Sequence, residues 1–454
     1  MKRIIKTAVC ILLLGSMALL AACGKTPVDP KPVNTDASSA EPSAEPSAEP
    51  SAEPTEKTGN LPFQPVSAVN LMAGITAREL GEPEKPADTD AARYADFAVR
   101  LFKACAAEGE NTLVSPLSVL CALSMTANGA EGETLAQMES VLGMTREELN
   151  AFYRSYISML PSMEKSKLQL ANSIWFTNDE RFTVNGDFLQ TNADVFGADI
   201  YKAPFDESTL QDINGWVEKN TDGMIPKILD KIPPAAVMYL INALAFDAEW
   251  DRIYKSNEVW KGEFTLEDGT KREAEFMHGD EYTYLNAGNA EGFMKFYSEG
   301  KYAFAALLPN EGVSVNELLA SLDGAKLMEV LNGAQPETVV TAIPKFETEY
   351  SAELSEALTE MGMPDAFISE LADLSGLGSS TAGNLYVSRV IHKTFISVDE
   401  KGTRAGAATA VEISDESAML TEHTVVLDRP FVYMLIDCET NLPFFIGTLM
   451  DVGE

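Results

Sequence analysis

The stretch that decides the fold runs Gly402-Thr403-Arg404-Ala405-Gly406-Ala407-Ala408-Thr409-Ala410-Val411-Glu412-Ile413. It follows 386–398, which is rich in β-branched and aromatic residues and predicts a strand. Side chains alternate along a strand, so one face, which could be buried, would carry Thr403, Ala405, Ala407, Thr409, Val411 and Ile413. The other face would carry Arg404, Gly406, Ala408, Ala410 and Glu412. Because Gly and Ala have low strand propensity, the segment could insert as a strand or remain a flexible surface loop.

The rest of the chain favours an α+β fold. Apolar periodicity and capping signals predict helices mainly in the first half, at 91–107, 115–125, 133–142, 145–160 and 211–220. Runs rich in β-branched and aromatic residues predict strands mainly in the second half, at 237–246, 302–308, 338–344, 386–398, 425–427, 431–437 and 444–452. This order indicates α+β rather than alternating βαβ units.

The N-terminus resembles a bacterial lipoprotein signal. A basic start, Met1 to Lys6, precedes an apolar run at 7–20 that is too short to span a bilayer comfortably. The run ends in Leu20-Ala21-Ala22-Cys23-Gly24, which resembles a lipobox, so we expect residues 1–22 to be a signal peptide and Cys23 to be lipidated. A secretory signal with a chance cysteine, or an uncut anchor, is the alternative.

A tether is predicted after Cys23. Residues 23–65 include a Glu-Pro-Ser-Ala repeat at period four from Glu41 to Pro54, a composition that cannot bury enough apolar surface to fold. We therefore expect a secreted protein, lipid-anchored to the outer face of a bacterial cell membrane, with a folded domain at 66–454 whose core starts near residue 91.

Charge and composition exclude several functions. The chain has 34 Lys+Arg against 69 Asp+Glu, a net charge of −35, which argues against nucleic-acid binding. Only three histidines are present, and neither nucleotide-binding, zinc-protease nor hydrolase-elbow motifs occur. We expect no cofactor, no metal and no ordinary enzyme. The cysteines left after the lipobox, which are Cys105, Cys121 and Cys438, are odd in number and lie in apolar contexts, so buried free thiols are expected.

Several separated motifs in a fixed order give the domain a family resemblance. They are 111–118 (Asn-Thr-Leu-Val-Ser-Pro-Leu-Ser), 129–134 (Gly-Ala-Glu-Gly-Glu-Thr), 171–175 (Ala-Asn-Ser-Ile-Trp), 213–217 (Ile-Asn-Gly-Trp-Val), 221–223 (Thr-Asp-Gly), 241–246 (Ile-Asn-Ala-Leu-Ala-Phe), 343–346 (Ile-Pro-Lys-Phe), 392–393 (His-Lys), 398–403 (Val-Asp-Glu-Lys-Gly-Thr) and 428–431 (Asp-Arg-Pro-Phe). From about residue 91 to 452 the chain resembles a serpin. The resemblance implies a large central β-sheet, two smaller sheets, eight or nine helices and an exposed reactive-centre loop.

The resemblance also implies a monomeric suicide inhibitor, whose partner is a serine or cysteine endopeptidase held in a covalent complex. The protease attacks the loop, and the cut loop inserts into the central sheet before the acyl-enzyme can hydrolyse. Small hinge residues suit fast insertion, and the hinge would comprise Gly402, Thr403, Arg404, Ala405, Gly406, Ala407 and Ala408. A non-inhibitory serpin scaffold that acts as a surface binding protein is the alternative.

Further residues are assigned by the same resemblance. Ser115, Ser118, Asn242 and His392 match the polar cluster beneath the opening sheet, called the shutter, and Trp250 matches the tryptophan of the breach, where insertion begins. A Ser/His pair could also indicate a hydrolase, but no acid partner or nucleophile elbow accompanies it. Two residues depart from the family pattern: Asp247 stands where lysine is common, and Arg404 where an acidic residue is common.

The reactive bond has two candidate positions. Counting from Glu400 by the usual inhibitory spacing gives Glu416-Ser417, whereas counting back from Asp428 gives Met419-Leu420. Glu416 predicts a glutamate-preferring protease, while Met419 suits enzymes with apolar pockets. Activation by a heparin-like polyanion is not expected, because the helix predicted at 145–160 carries only Arg146 and Arg154 as basic residues.

Overall fold

The computed structural model describes residues 63–160, 163–233, 236–381, 383–403 and 423–453. The chain divides into two compact units, residues 1–61 and 62–454, and the described residues all belong to the second. The predicted signal peptide, lipidated Cys23 and nearly all of the predicted tether therefore lie outside the described residues. The backbone is described from Phe63, whose ring packs against Tyr201 with 6.1 Å between centroids. Among the described helices, none is long and apolar enough to cross a membrane.

The described residues contain nine α-helices, in agreement with the predicted eight or nine. Local sequence explains their ends. Ser115 caps the second helix by accepting a hydrogen bond from the Ser118 backbone, and Pro116 occupies its first position. Thr145 and Glu148 form a capping box at the fourth. The helices are α1 (Asp88–Cys105), α2 (Pro116–Ala127), α3 (Gly132–Leu142), α4 (Arg146–Ser158), α5 (Gly186–Phe196), α6 (Glu207–Asn220), α7 (Val315–Ser321), α8 (Gly324–Asn332) and α9 (Ser355–Met361).

Nineteen strands are present in the same residues. They are β1 (Val69–Asn70), β2 (Thr112–Val114), β3 (Ser166–Thr177), β4 (Phe182–Val184), β5 (Asp199–Ala203), β6 (Met238–Glu249), β7 (Val259–Thr265), β8 (Lys271–Glu281), β9 (Tyr284–Asn286), β10 (Ala290–Phe296), β11 (Tyr302–Pro309), β12 (Val339–Pro344), β13 (Phe346–Glu353), β14 (Gly378–Ser380), β15 (Arg389–Val398), β16 (Gly402–Thr403), β17 (His423–Val426), β18 (Phe431–Asp437) and β19 (Pro443–Leu449).

Three main sheets are built from these strands. Sheet A has seven strands in the order β1-β5-β3-β6-β16-β15-β13, sheet B has six in the order β2-β19-β18-β11-β10-β9, and sheet C has four in the order β17-β12-β8-β7. A two-stranded pair, β14 with β4, adds a small fourth sheet that the sequence did not predict. Helix α2 lies between sheets, contacting β3 and β6 of sheet A and β19 of sheet B.

The α+β class and the large central sheet are confirmed. Helices do dominate the first half of the chain and strands the second, but the sequence did not predict β3 and β5 in the first half or α7, α8 and α9 in the second. Strand β3 escaped prediction since polar Lys167, Gln169 and Asn172 interrupt its apolar residues. Pairing of β3 with β5 and β6 on its two edges, and its contacts with α2, outweigh this low local strand propensity.

The expected free thiols are confirmed for Cys105, Cys121 and Cys438. Cys121 is buried, and burial raises the pKa of its thiol well above the ordinary range. The other two are only partly buried.

Candidate functional site

A break in strand pairing at the middle of sheet A forms the centre of the site. Strands β6 and β15 run parallel and pair directly only from Tyr239 with Arg389 to Ala243 with Lys393. At the other end β16 lies between them, with Gly402 opposite Glu249 and Thr403 opposite Ala248. Among the described residues, 244–247 of β6 and 394–397 of β15 pair neither with each other nor with β16. We call the position between these two segments the insertion slot.

The two described hinge residues already occupy the mouth of this slot. Gly402 approaches β6 so closely that a Cβ atom there would lie 2.0 Å from the Ala248 carbonyl oxygen, a distance that no side chain tolerates. Thr403 pairs with Val398 of β15, is 1% exposed, and its hydroxyl hydrogen-bonds the hydroxyl of Tyr297. The remaining predicted hinge residues, Arg404, Ala405, Gly406, Ala407 and Ala408, lie outside the described residues.

The turn before the hinge, residues 399–401, is held by side chains. The Asp399 carboxylate accepts hydrogen bonds from the backbone N–H groups of Lys401 (2.7 Å) and Gly402 (3.2 Å). The Glu400 carboxylate pairs with the Lys345 ammonium at 2.8 Å, and this contact lowers the pKa of Glu400 below its usual value. Together with the Asp399 N–H···O=C Gly402 bond (3.0 Å), these contacts close a hairpin whose first rung is Val398 opposite Thr403.

Trp250 lies where the breach was predicted. Its side chain is buried, and its ring stacks on Tyr297 with 4.4 Å between centroids and 12° between planes. Its Nε1–H donates to the Asp399 carbonyl at 2.8 Å, and its backbone N–H donates to the Lys401 carbonyl at the same distance. The tryptophan therefore links the end of β6 to the turn that begins the loop.

The predicted shutter residues form one buried network between sheet A and α2. The Ser115 backbone N–H donates to His392 Nε2 at 3.1 Å, and the ring's Nδ1 lies 3.2 Å from Asn242 Oδ1. Asn242 also exchanges hydrogen bonds with Ser118, accepting from the hydroxyl and donating to the backbone carbonyl. All four residues are buried, at 1% exposure or less, and their hydrogen bonds join them in one cluster.

The hydrogen bonds define the protonation of His392. Because a backbone N–H can only donate, Nε2 must accept, and the ring proton lies on Nδ1, from which it is donated to Asn242. Complete burial lowers the pKa of the imidazole to about 3. The ring is therefore neutral at physiological pH.

The hydrolase alternative finds no support in this geometry. His392 contacts Ser115 through the serine backbone, while the Ser115 hydroxyl accepts a hydrogen bond from the Ser118 N–H at 3.3 Å. A serine nucleophile needs its hydroxyl on the base and access to substrate, and the burial of both side chains removes that access.

Three contacts in the site were missed from the sequence. Asn172 lies directly opposite Asn242 across the β3–β6 ladder and accepts a hydrogen bond from its side chain at 2.5 Å. Tyr297 bonds Thr403, and Lys345 pairs with Glu400. The sequence offered one usable signal, the Ile-Pro-Lys-Phe motif that contains Lys345. Asn172 could have been found only after recognising β3 as the neighbour of β6. The candidate reactive bonds Glu416-Ser417 and Met419-Leu420 lie outside the described residues.

Sheet A therefore holds the short strand β16 between the ends of β6 and β15, with a buried polar cluster beneath the stretch where β6 and β15 pair directly. A profile of the family described as Serpin (serine protease inhibitor) matches residues 92–452. The chain belongs to the serpin family.

Comparison with known proteins agrees. The chain is 30% identical over 376 residues to Iris of Ixodes ricinus, covering 79% of this chain and 97% of that protein. The crystal structure of tengpin, a thermophilic serpin, in its native state is 48% identical and has a TM-score of 0.82, covering 85% of this chain and all of that one. Tengpin in its latent state is 47% identical with a TM-score of 0.73, covering 82% of this chain and all of that one.

Proposed function

We propose that this serpin is a surface-anchored suicide inhibitor of serine or cysteine endopeptidases. A target protease would be trapped as an acyl-enzyme when the cleaved loop inserts into sheet A. The single observation that carries the proposal is a register relationship at the insertion slot.

The strands flanking the slot need no register shift to accept the loop. Residue 403 pairs with 398 on one side and 248 on the other, and each further residue of an antiparallel strand would move one residue back along both neighbours. Continuing in this way places residue 409 opposite both Asn242 and His392, which already face each other in the β6–β15 ladder. Each pair of the β6–β15 ladder would in the same way face a single residue of the inserted loop. Sideways separation of β6 and β15, without sliding along their axes, is therefore enough to admit the loop.

The inserted residues fit the faces they would meet. Directly opposite residues share a face of a sheet. Ala405 would lie beside Phe246 and Ile396, and Ala407 beside Leu244 and Thr394; all four of these neighbours are buried. Small side chains can enter this packed interior without displacing it.

Thr409 would arrive at the shutter. Parting of β6 and β15 breaks the His392–Asn242 contact, but each strand keeps its own bond to α2, through Ser115 and Ser118 respectively. A threonine hydroxyl both accepts and donates, so Thr409 could accept from His392 Nδ1–H and donate to Asn242 Oδ1. No buried polar group would then be left without a partner.

The opposite face brings charges of opposite sign together. The same register puts Arg404 beside Asp247 and Glu412 beside Arg389. The two departures from the family pattern, Asp247 and Arg404, are thus reciprocal, and insertion would pair them. Residue 412 would lie opposite Tyr239 and Arg389, at the end of the existing ladder, which leaves 413–416 to reach the protease if the cut is at Glu416-Ser417.

The location and the partners belong to the same proposal. A lipid on Cys23 and the tether would hold the inhibitor at the outer face of a bacterial membrane as a monomer. The acidic charge and the engagement of α4's two arginines support independence from a polyanion. Arg146 pairs with Glu131 and Glu147, and Arg154 donates to the Gly81 carbonyl.

The test mixes the purified protein with a panel of serine and cysteine proteases that includes glutamate-, elastase- and subtilisin-type enzymes. We expect an adduct that survives SDS. By mass spectrometry, the released C-terminal peptide should begin at Ser417; a peptide that begins at Leu420 would instead place the cut at Met419-Leu420. Cleavage without an adduct and without a gain in thermal stability would overturn the inhibitory proposal and favour the non-inhibitory binding scaffold.

A further inference from the structure

A buried ion pair lies beside the breach. The Lys295 ammonium, from β10 of sheet B, lies 2.8 Å from the Glu281 carboxylate at the end of β8 in sheet C. Lys295 is 1% exposed and Glu281 8% exposed. Lysine is almost never buried to this degree without a specific arrangement of partners.

The residues that follow β6 surround this ammonium. Lys295 Nζ lies 5.3 Å from the centroid of the Trp250 ring and 4.4 Å from that of Tyr254, and it donates to the Arg252 carbonyl at 3.3 Å. Both rings are within the range of a cation–π interaction. Residues 250–254 therefore fold around a single positive charge.

The same segment also holds the turn that leads into the loop. Three successive backbone carbonyls of the turn 399–401 accept hydrogen bonds from residues 250–254. Lys401 accepts from the Trp250 backbone at 2.8 Å, Asp399 from the Trp250 indole at 2.8 Å, and Glu400 from the Tyr254 backbone at 2.9 Å. Residues 250–254 thus contact Lys295 and also hydrogen-bond the turn that begins the reactive loop.

We propose that Lys295 is a positioning residue for loop insertion: it fixes Trp250 and Tyr254, and through them the turn 399–401, in the arrangement present before cleavage. This inference rests on the proposed inhibitory function and specifies how the closed breach is held until cleavage. Because the buried ammonium contacts both rings and the Glu281 carboxylate, movement of either ring away from sheets B and C would break a contact that water does not replace.

The chemistry of the pair supports this role over a purely stabilising one. A buried ion pair is often replaceable by apolar residues without loss of stability, because desolvation offsets the attraction between the charges. What an apolar replacement lacks is attraction to two ring faces at fixed positions. Removing both charges should therefore loosen the turn more than it lowers overall stability.

The test compares Lys295→Met combined with Glu281→Gln, which removes both buried charges, with a control pair elsewhere. Partly buried Lys301 and buried Asp437 form an ion pair at 2.8 Å, and Lys301 also contacts Glu439. Lys301→Met with Asp437→Asn removes one charge of each sign from another largely enclosed ion pair, outside residues 250–254 and the turn 399–401. Melting temperatures of both variants show their general effect on stability.

The primary measurement is hydrogen exchange of the Trp250 and Tyr254 backbone amides, which are bonded to the turn. We expect exchange at both to accelerate about thirtyfold in the Lys295/Glu281 variant, the factor expected from one buried cation–π contact, and to be unchanged in the control variant. Exchange within twofold of wild type, or equal acceleration in both variants, would overturn the positioning role. The variant should also lose inhibitory activity faster on incubation.

The two proposals can fail separately. Faster exchange at Trp250 and Tyr254 in a protein that forms no adduct with any protease would support Lys295 as a positioning residue and overturn the inhibitory function. Unchanged exchange in a protein that does form the adduct would overturn the role of Lys295 alone.

Discussion

His392 donates a hydrogen bond from Nδ1 to Asn242 Oδ1, 3.2 Å away, across the only stretch in the described part of sheet A where β6 and β15 pair directly. Each of the two residues is also bonded to α2, so the contact joins two strands that share an anchor. Burial that keeps the imidazole neutral makes this junction sensitive to acid.

Acid should destabilise the protein through His392. The pKa of the folded protein's imidazole is about 3, below the value of 6.5 in the unfolded chain. As pH falls, the unfolded chain therefore binds the proton first, so the stability contribution is complete above pH 6.5 and is lost between 6.5 and 3. We expect urea unfolding to show about 2 kcal/mol less stability at pH 5 than at pH 7 from this group.

The variant His392→Gln isolates that effect, since glutamine cannot titrate. Its unfolding free energy is expected to be lower at pH 7 but to change less between pH 7 and 5 than that of wild type. His278→Gln serves as the control, because His278 stacks on Trp260 outside the shutter and should leave most of the slope in place. Equal slopes for His392→Gln and wild type would contradict the assignment.

A charge at Thr403, the second hinge residue, should convert the inhibitor into a substrate. Thr403 is already buried, with its hydroxyl on Tyr297. The Thr403→Arg side chain could occupy this buried place in sheet A only by losing its hydration, which costs several kcal/mol. We expect cleavage to continue while the yield of SDS-resistant adduct falls at least tenfold, measured as inhibitor consumed per protease blocked.

The conservative variant Thr403→Ser keeps the hydroxyl and the small size, and its adduct yield should match that of wild type. A wild-type adduct yield from Thr403→Arg would show that trapping does not need entry of this side chain into the sheet.

Much of this site was accessible from the sequence, because its residues sit in local motifs. Ser115 and Ser118 lie one helical turn apart at a capped helix start, and Gly402-Thr403 opens a run of small residues. The missed partners depend on strand pairing. Asn172 reaches Asn242 only through the β3–β6 register, and Lys295 reaches Trp250 from another sheet. Such contacts are separated by tens of residues along the chain, so periodicity, which reports only on one element, cannot reveal them.

The fold class was also predictable, because helix caps and strand-forming runs are local signals. The order of helices and strands along the chain was harder to predict. The starts of α2 and α4 are marked in the sequence by capping residues. Strand β3 carries polar residues, which are tolerated because β5 and β6 pair with it on both sides. Tertiary context outweighs local strand propensity there.

Asp212 should anchor the first strand of sheet A. Its carboxylate accepts hydrogen bonds from the backbone N–H groups of Val66, Ser67 and Ala68, the last two at 2.9 Å, just before β1 pairs with β5. In Asp212→Asn an amide NH2 would face one of these donors. We expect about 2 kcal/mol lower stability, in line with the loss of a hydrogen bond to a charged group.

The accompanying measurement is amide exchange at Leu71, whose N–H donates to the Ile200 carbonyl; it should accelerate in Asp212→Asn. Asp206→Asn, a change in the cap of the same helix α6, is the matched control and should lower stability by about 1 kcal/mol or less without affecting Leu71. Unchanged exchange at Leu71 in Asp212→Asn would show that the Asp212 carboxylate does not anchor β1.

The reciprocal charges of Asp247 and Arg404 give the sharpest test of register. Thr403 lies opposite Ala248, so the inserted register would place residue 404 opposite Asp247. Asp247→Lys and Arg404→Glu should each destabilise the loop-cleaved protein, and the double variant should recover, with a coupling of about 0.5–1 kcal/mol, typical of an exposed pair.

The coupling is measured as a double-mutant cycle on thermal unfolding, before and after the loop is cut. We expect it in the cleaved protein, where the inserted strand would hold residue 404 beside residue 247. The exposed Lys261–Glu273 pair of sheet C, at 2.5 Å, is the control and should show the same coupling in both forms. Absence of any Asp247–Arg404 coupling in the cleaved protein would mean that the loop enters in another register, and the placement of Thr409 at the shutter would fail with it.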